Sequence, residues 1–223
     1  MQHHNTCVIV VAAGKSTRMG MDKQRITIGK KTVIERCLDN FQMASHIDSI
    51  VVVTSKESMA YISSIVPSKV CAVVEGGASR QMSVSLGLDW IPNNVEFIAI
   101  HDGARPFVSP VLIDAICECA YCTGAAVPVI PITSTVKQIT PNGKIIATMD
   151  RECLRLVQTP QVFDLRQYKK ALANAKDMDF TDDCQLFEKM NLPVAWIAGD
   201  EKNIKITTPN DLLLAQLIEK GME

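Results

Sequence analysis

Small residues and cations stand in close order near the start of the chain, as Ala12-Ala13-Gly14-Lys15-Ser16-Thr17-Arg18-Met19-Gly20 followed by Lys23. An apolar run precedes them, so they form the loop after a first strand. Small residues there let backbone N–H groups approach phosphate oxygens. Arg18 and Lys23 add the positive charge that a triphosphate requires. Gly14-Lys15-Ser16 suggests a P-loop, but that motif needs a glycine at the position of Ile9, inside the strand. The dinucleotide fingerprint fails as well, because Lys15 and Ser16 stand where glycines would help. The alternative for the segment taken alone is an ordinary strand-to-helix turn with surface cations.

Asp102 follows His101 at the end of another apolar run and precedes Gly103. A hard magnesium ion takes carboxylate oxygen and substrate phosphate together, which suits Asp102; the alternative is a plain turn, for which Asp-Gly is a common pair. His101, beside a carboxylate at a strand end, fits a structural role better than that of a general base. The pair Asp182 and Asp183 fits a helix N-terminus, where negative charge is favourable, with Thr181 as its cap.

The elements that position these residues alternate. Short runs rich in Val and Ile at 7–13, 49–54, 70–75, 95–101 and 125–132 have the length and composition of buried strands. Between them lie helical spacings: Ile34, Leu38 and Phe41; Met82, Leu86, Leu88 and Ile91; Val111, Ile113, Ile116 and Ala120. Strands alternating with helices predict an α/β fold, Rossmann-like, with a mostly parallel sheet flanked by helices. Ligands in such sheets sit beyond the carboxyl ends of the strands, which puts the loops after Ala13, Glu75 and His101 on one edge. From about 132 to 156 the alternation breaks around Pro141-Asn142-Gly143, predicting a protruding β-hairpin arm. Helices at 167–175 and 182–190, a strand at 193–198 and a last helix opened by Pro209, with Leu212, Leu213 and Leu217, complete a single domain over residues 1–223.

A net charge of −1 lacks the basic excess of a nucleic-acid binder, so an anionic substrate must meet a local cluster of cations. The eight cysteines do not form paired C-x-x-C motifs of zinc spacing and are expected to be free thiols in a reducing cytoplasm. No signal peptide and no apolar stretch of membrane-spanning length is recognisable, which predicts a cytoplasmic protein without membrane partners. His3 and His4 are expected to form a mobile N-terminal pair without a role.

The opening loop resembles the nucleotide-binding signature of the sugar-phosphate nucleotidyltransferases, and the molybdenum-cofactor guanylyltransferases share it. Later segments narrow the family: Gly76-Gly77, His101-Asp102-Gly103-Ala104-Arg105-Pro106, Gln158-Thr159-Pro160-Gln161, Thr181-Asp182-Asp183 and Asn203-Ile204-Lys205-Ile206-Thr207-Thr208-Pro209. In this order, from Val8 to the last helix, they closely resemble the 2-C-methyl-D-erythritol 4-phosphate cytidylyltransferases, one branch of the CTP-dependent alditol-phosphate cytidylyltransferases. The resemblance implies CTP and a small alditol phosphate as substrates, a divalent cation such as Mg²⁺, and a homodimer. By position, Arg18 and Lys23 would stabilise charge on the reacting phosphates. Ala12, Ala13, Gly14, Gly77 and Ser83 would line the CTP pocket, with Asp102 near the magnesium-bound triphosphate and Arg105 anchoring the site. Thr135, Arg151, Thr159 and Lys205 would hold and orient the acceptor phosphate, Thr135 and Arg151 serving the partner subunit's site. Ribitol 5-phosphate as acceptor, or an inactive nucleotide-sensing protein of the same fold, are the alternatives. Three departures stand out: Asp22 where relatives often have proline, Ala78 where an acidic residue is common, and Ser134-Thr135-Val136-Lys137 where Asp-Thr-x-Lys is usual.

Overall fold

The computed structural model describes residues 4–14, 22–175, 180 and 182–221. In chain order the elements are β1 (Thr6–Val11), β2 (Thr27–Ile28), β3 (Lys31–Thr32), α1 (Val33–Met43), β4 (Ser49–Thr54), α2 (Lys56–Ile65), β5 (Val70–Glu75), α3 (Arg80–Leu88), β6 (Phe97–Asp102), α4 (Pro110–Thr123) and β7 (Ala125–Pro131). There follow β8 (Lys137–Ile139), β9 (Ile145–Thr148), β10 (Arg155–Val157), β11 (Gln161–Asp164), α5 (Leu165–Ala173), α6 (Cys184–Lys189), β12 (Ala195–Ala198) and α7 (Pro209–Lys220).

Why the central strands read as unbroken apolar runs is visible in β1. Val8 and Val10 point to one face of the sheet, Cys7 and Ile9 to the other, and all are buried. Both faces are covered, so a period-two alternation would leave polar groups in a core. Helices α1, α2 and α4 pack on the first face through Leu38, Phe41, Ile62 and Ile116. Helices α3, α5 and α6 pack on the second through Val84, Leu88, Tyr168 and Phe187. A smaller apolar cluster joins α7 to the β2–β3 hairpin through Ile28, Val33, Ile206 and Ala215.

Strands β6, β1, β4 and β5 run parallel in that order. Next to β6 the direction reverses. Strand β11 pairs antiparallel with both β6 and β7, and β10 continues it along the same side of β7, whose far side takes β12 in parallel. Neither β10, β11 nor the β2–β3 hairpin is legible in the sequence. They are too short to show periodicity, and their strand character comes from the neighbours they pair with. Strands β8 and β9 form a separate two-stranded sheet, the hairpin arm.

The expected core faces hold in part. Val111 is 79% exposed and Met82 51%, while Ile113, Ile116 and Ala120 of α4 are buried as expected and are joined by Leu112 and Cys117. A helix that is apolar on most sides gives its periodicity little phase. Leu213 and Leu217 are likewise exposed, and Leu212 alone of the expected stripe packs inward from α7. His4 is not a mobile end: its Nδ1 lies 3.0 Å from Glu96 Oε2 and its ring packs against Tyr121 and Phe97. Helices α5 and α6 begin at Leu165 and Cys184, and the expected cap Thr181 lies outside the described residues.

Helix ends carry recognisable chemistry. Thr32 and Glu35 form a capping box on α1, Thr208 and Asp211 one on α7 with Pro209 in its first turn, and Ser109 caps α4. Gly124 ends α4 at φ 85°, a left-handed conformation that a Cβ disfavours. Gly124→Ala is therefore expected to lower the unfolding free energy by about 1–2 kcal/mol, read as a lower urea midpoint at unchanged denaturant slope.

Candidate active site

Parallel strands bring their carboxyl ends to one edge. Val11 pairs with Val53 and Asp102, and Thr54 with Glu75, so the loops that follow are neighbours. Backbone bonds tie them down: Ala12 N–H to Val53 O at 2.7 Å, Gly76 N–H to Thr54 O at 2.8 Å, Gly103 N–H to Val11 O at 2.9 Å. A Cβ on Gly76 would stand 2.3 Å from that of Ala13, so only glycine lets these two loops touch. Ser83 is buried, accepts the Gly77 N–H at 3.1 Å and donates to Ser79 O at 2.9 Å, which fixes the turn into α3.

Two adjoining cavities open here. One, of about 550 Å³, lies between Ala12–Gly14, Ser55–Ser58 and Glu75–Gly77. The other, of about 350 Å³, shares Ala13, Gly14 and Gly77 and adds Lys23, Arg80, Asp102 and Lys205. The first turn of α3, whose Met82 N–H is capped by Ser79 Oγ at 3.1 Å, borders the second cavity with the positive end of its dipole. Lys23 begins a 3-10 turn that Asp22 caps by accepting the Gln24 N–H at 3.0 Å; Asp22 also accepts from Ser58 Oγ at 2.7 Å. Aspartate thus does by hydrogen bonding what a proline would do by stiffness, and it moors the turn to α2.

Asp102 is the electrostatic centre. It is 8% exposed, and Lys205 Nζ lies 2.8 Å from Oδ2, Arg80 Nε 3.4 Å from Oδ1 and Arg105 Nε 3.7 Å from Oδ2. Burial pushes the Asp102 carboxyl up, but Lys205, Arg80 and Arg105 together outweigh it and hold it well below the usual carboxylate range. Arg80 is also paired with Asp183 at 2.6 Å, and Asp183 accepts from Tyr168 Oη at 2.7 Å. Asp102 and Asp183 stand against Arg80, Arg105 and Lys205, so the cluster keeps a positive surplus.

Beneath Asp102 the polar groups are satisfied in a chain. The Thr159 hydroxyl accepts the Asp102 N–H and donates to His101 Nδ1, both at 3.1 Å, and His101 Nε2 donates to Arg105 O at 3.2 Å. These partners assign the His101 tautomer. Burial drives its pKa down to about 3, so it is neutral at physiological pH and its ring packs edge-on against Phe41. Arg105 donates to Asn203 O at 2.7 Å, Asn203 Nδ2 to Thr159 O at 2.9 Å, and Gln158 Nε2 to Asp200 O at 2.8 Å. The Gln-Thr-Pro and Asn-Ile-Lys segments are therefore the clasp that carries Lys205 to Asp102.

Of the expected site residues, the structure gathers Ala12, Ala13, Gly14, Lys23, Gly77, Ser83, Asp102 and Lys205 around the cavities. Arg105 touches Asp102 from behind. Thr159 is buried, and its hydroxyl bonds Asp102 and His101. Thr135 and Arg151 are exposed beside the arm, outside both cavities, and Arg151 donates to Thr133 O at 2.8 Å. Arg18 lies outside the described residues. Arg80 was missed, and Asp183 is its partner besides starting α6. The available signal was an arginine in the first turn of a helix, where the dipole disfavours a cation unless anions face it.

Among the described residues no cluster of three His, Cys, Asp or Glu could hold a metal. The donor set fits a magnesium ion that arrives on phosphate oxygens, for which the single carboxylate of Asp102 suffices.

Neutral His101 has a consequence for stability. The unfolded chain takes up its proton near pH 6.5, whereas the folded one refuses it down to about pH 3. Stability is then lost as pH falls through that window, by up to about 1.4 kcal/mol per pH unit from this residue. In His101→Asn, urea unfolding between pH 6 and 4 is expected to show a pH slope smaller by about one proton.

Comparison with known proteins identifies the family of the chain. The model of the family described as IspD, 2-C-methyl-D-erythritol 4-phosphate cytidylyltransferase, matches residues 6–220. The chain is 43% identical over 219 residues to the 2-C-methyl-D-erythritol 4-phosphate cytidylyltransferase of Dehalococcoides mccartyi, covering 96% of each. The crystal structure of 4-diphosphocytidyl-2C-methyl-D-erythritol synthase from Anaerococcus prevotii superposes with a TM-score of 0.88 at 29% identity, covering 98% of this chain and 97% of that one. The cytidylyltransferase of Thermus thermophilus superposes with a TM-score of 0.80 at 33% identity, covering 97% and 99%. With its α/β fold and a sequence match over nearly its whole length, this chain belongs to the 2-C-methyl-D-erythritol 4-phosphate cytidylyltransferase family of nucleotidyltransferases.

Proposed function

We propose that this chain transfers the cytidylyl group of CTP to 2-C-methyl-D-erythritol 4-phosphate, giving the CDP-alditol and pyrophosphate in isoprenoid precursor synthesis. The observation that carries the reading is a buried carboxylate, Asp102, surrounded by Arg80, Arg105 and Lys205 at the mouth of a small-residue loop. The acceptor brings its own nucleophile, an anionic phosphate oxygen. That oxygen forms the new bond to the α-phosphorus as the bond to the pyrophosphate oxygen breaks, and no proton has to move. Catalysis then consists of holding anions together and neutralising them. Neutral, hydrogen-bonded His101 is not needed as a base, in keeping with its low pKa.

Roles follow from placement. The loops at Ala12–Gly14 and Gly76–Gly77 expose backbone groups to CTP, and the first turn of α3 faces its phosphates. Asp102 would be the protein carboxylate for a magnesium ion carried by the nucleotide, and that ion would supply charge neutralisation of the triphosphate. Lys205 is 40% exposed at its side chain and can leave Asp102 for a substrate phosphate. Arg18 and Lys23 stabilise charge at the reacting phosphorus. The relatives named above are methylerythritol enzymes, so ribitol phosphate and a silent scaffold gain no support.

The chain works in the cytoplasm as one nucleotidyltransferase domain, dimerised through the arm. Ile139, Ile145, Ile146, Leu156 and Trp196 expose apolar surface on or beside it. A two-stranded hairpin is marginal alone in water and gains stability by packing on a partner. Thr135 and Arg151 would then reach the partner's acceptor site.

Purified protein supplied with Mg²⁺, CTP and the acceptor is expected to release pyrophosphate, with GTP a poor substitute. Lys23→Ala should lower kcat by about 10²–10³ with little change in the KM for CTP, as for a group acting in the transition state; a rise in KM alone would make Lys23 a ground-state ligand. For the dimer, an Arg151→Ala chain co-expressed with a Lys23→Ala chain should recover part of the activity, because mixed dimers hold one intact site. Verified mixed dimers without recovery would show that the arm serves its own subunit.

A further inference from the structure

Gln24 follows Lys23 in the turn that Asp22 caps. The residue is 2% exposed and walls the 350 Å³ cavity together with Lys23, Arg80, Asp102 and Lys205. Among the described residues neither its Nε2 nor its Oε1 has a hydrogen-bond partner. A carboxamide carries two donors and an acceptor oxygen, and buried groups of this kind are satisfied in the great majority of cases. Packing alone does not call for it, since the neighbouring cluster is built from Ile28, Val33 and Phe107. Its backbone N–H is anchored by Asp22 at 3.0 Å, so the turn is held in place while the side chain has no polar partner among the described residues.

We infer that Gln24 is a substrate-binding residue whose carboxamide takes its partner from the substrate, and that this partner is a hydroxyl of the ribose or of the alditol. The inference rests on the cytidylyl-transfer reading above. A hydroxyl both accepts and donates, so it can answer the amide NH₂ and the amide oxygen of one Gln. An ionised phosphate oxygen only accepts and would set the Gln24 oxygen against an anion. Phosphates already have Lys23, Arg80 and Lys205 on the same wall. Three side-chain torsions let the amide turn into the cavity that it borders.

The test separates this role from packing. A structural glutamine, once replaced, costs stability; a buried amide without partners, replaced by an apolar group of similar shape, is neutral or stabilising. Gln24→Met and Gln24→Leu are compared with the wild type by thermal melting without substrates, by calorimetric binding of CTP, 2′-deoxy-CTP, 3′-deoxy-CTP and the acceptor, and by steady-state turnover. At least one variant should melt at or above the wild-type temperature while kcat/KM falls about tenfold, the worth of one hydrogen bond to a neutral group. A ribose partner appears as weaker CTP binding with no further loss for the deoxy analogue that lacks that hydroxyl. An alditol partner appears as a raised KM for the acceptor at unchanged CTP affinity. Unchanged binding and turnover for every ligand, or lowered melting in both variants, overturns the inference. Wild-type protein that binds CTP but releases no pyrophosphate would overturn the cytidylyl-transfer reading instead, and the binding measurements would still decide on Gln24.

Discussion

A buried carboxylate is the constraint to which this site answers. Asp102 is carried to the mouth of the sheet by β6, one of the most buried strands in the protein. An ion in that position is costly unless paired and hydrogen-bonded. The pairing is met from three directions: Arg80 from the start of α3, Arg105 from the loop after β6, and Lys205 from the segment between β12 and α7. Each cation has its own tether. Asp183 and Tyr168 hold Arg80, Asn203 holds Arg105, and Gln158 clasps the loop that delivers Lys205. Losing Asp102 would leave neighbouring cations without their counter-charge and slacken the hold on α3, on the loop after β6 and on the segment before α7.

The same arrangement serves chemistry. Cations crowded beside a carboxylate repel one another, and incoming phosphates relieve that repulsion. The site is thus prepared for anions before any arrive, which is the condition for electrostatic stabilisation without reorganisation. Geometry at the loops is consistent with this economy. Gly76 lies against the Ala13 methyl because it has no Cβ of its own, and Ser83 braces Gly77. Asp22, an unusual residue before the lysine, proves compatible with the site because it caps the turn and bonds Ser58 across to α2.

Local signals were strong for the α/β alternation, the opening loop and Asp102, because each depends on residues adjacent in the chain. Val and Ile runs announce strands buried on both faces, small residues announce a loop that backbone groups can use, and Pro209 after Thr208 announces α7. The arm was legible from its turn residues and the break in alternation. These features need no distant partner to be recognised.

Other features exist only because distant segments meet. Strands β10 and β11 acquire their direction from β6 and β7. Thr159 has its hydroxyl under Asp102 because the fold stacks it on β6. Arg80 becomes part of the site through Asp102 and Asp183, neither of them near it in sequence, and Gln24 becomes conspicuous only because its amide has no partner among the described residues. The sequence by itself determined the alternation of the main strands and helices, the hairpin arm and the need for a local cluster of cations. Which cation pairs with which carboxylate, and which polar groups are spent inside the protein or kept for substrate, was decided by tertiary structure, because hydrogen bonds and burial are properties of spatial neighbours.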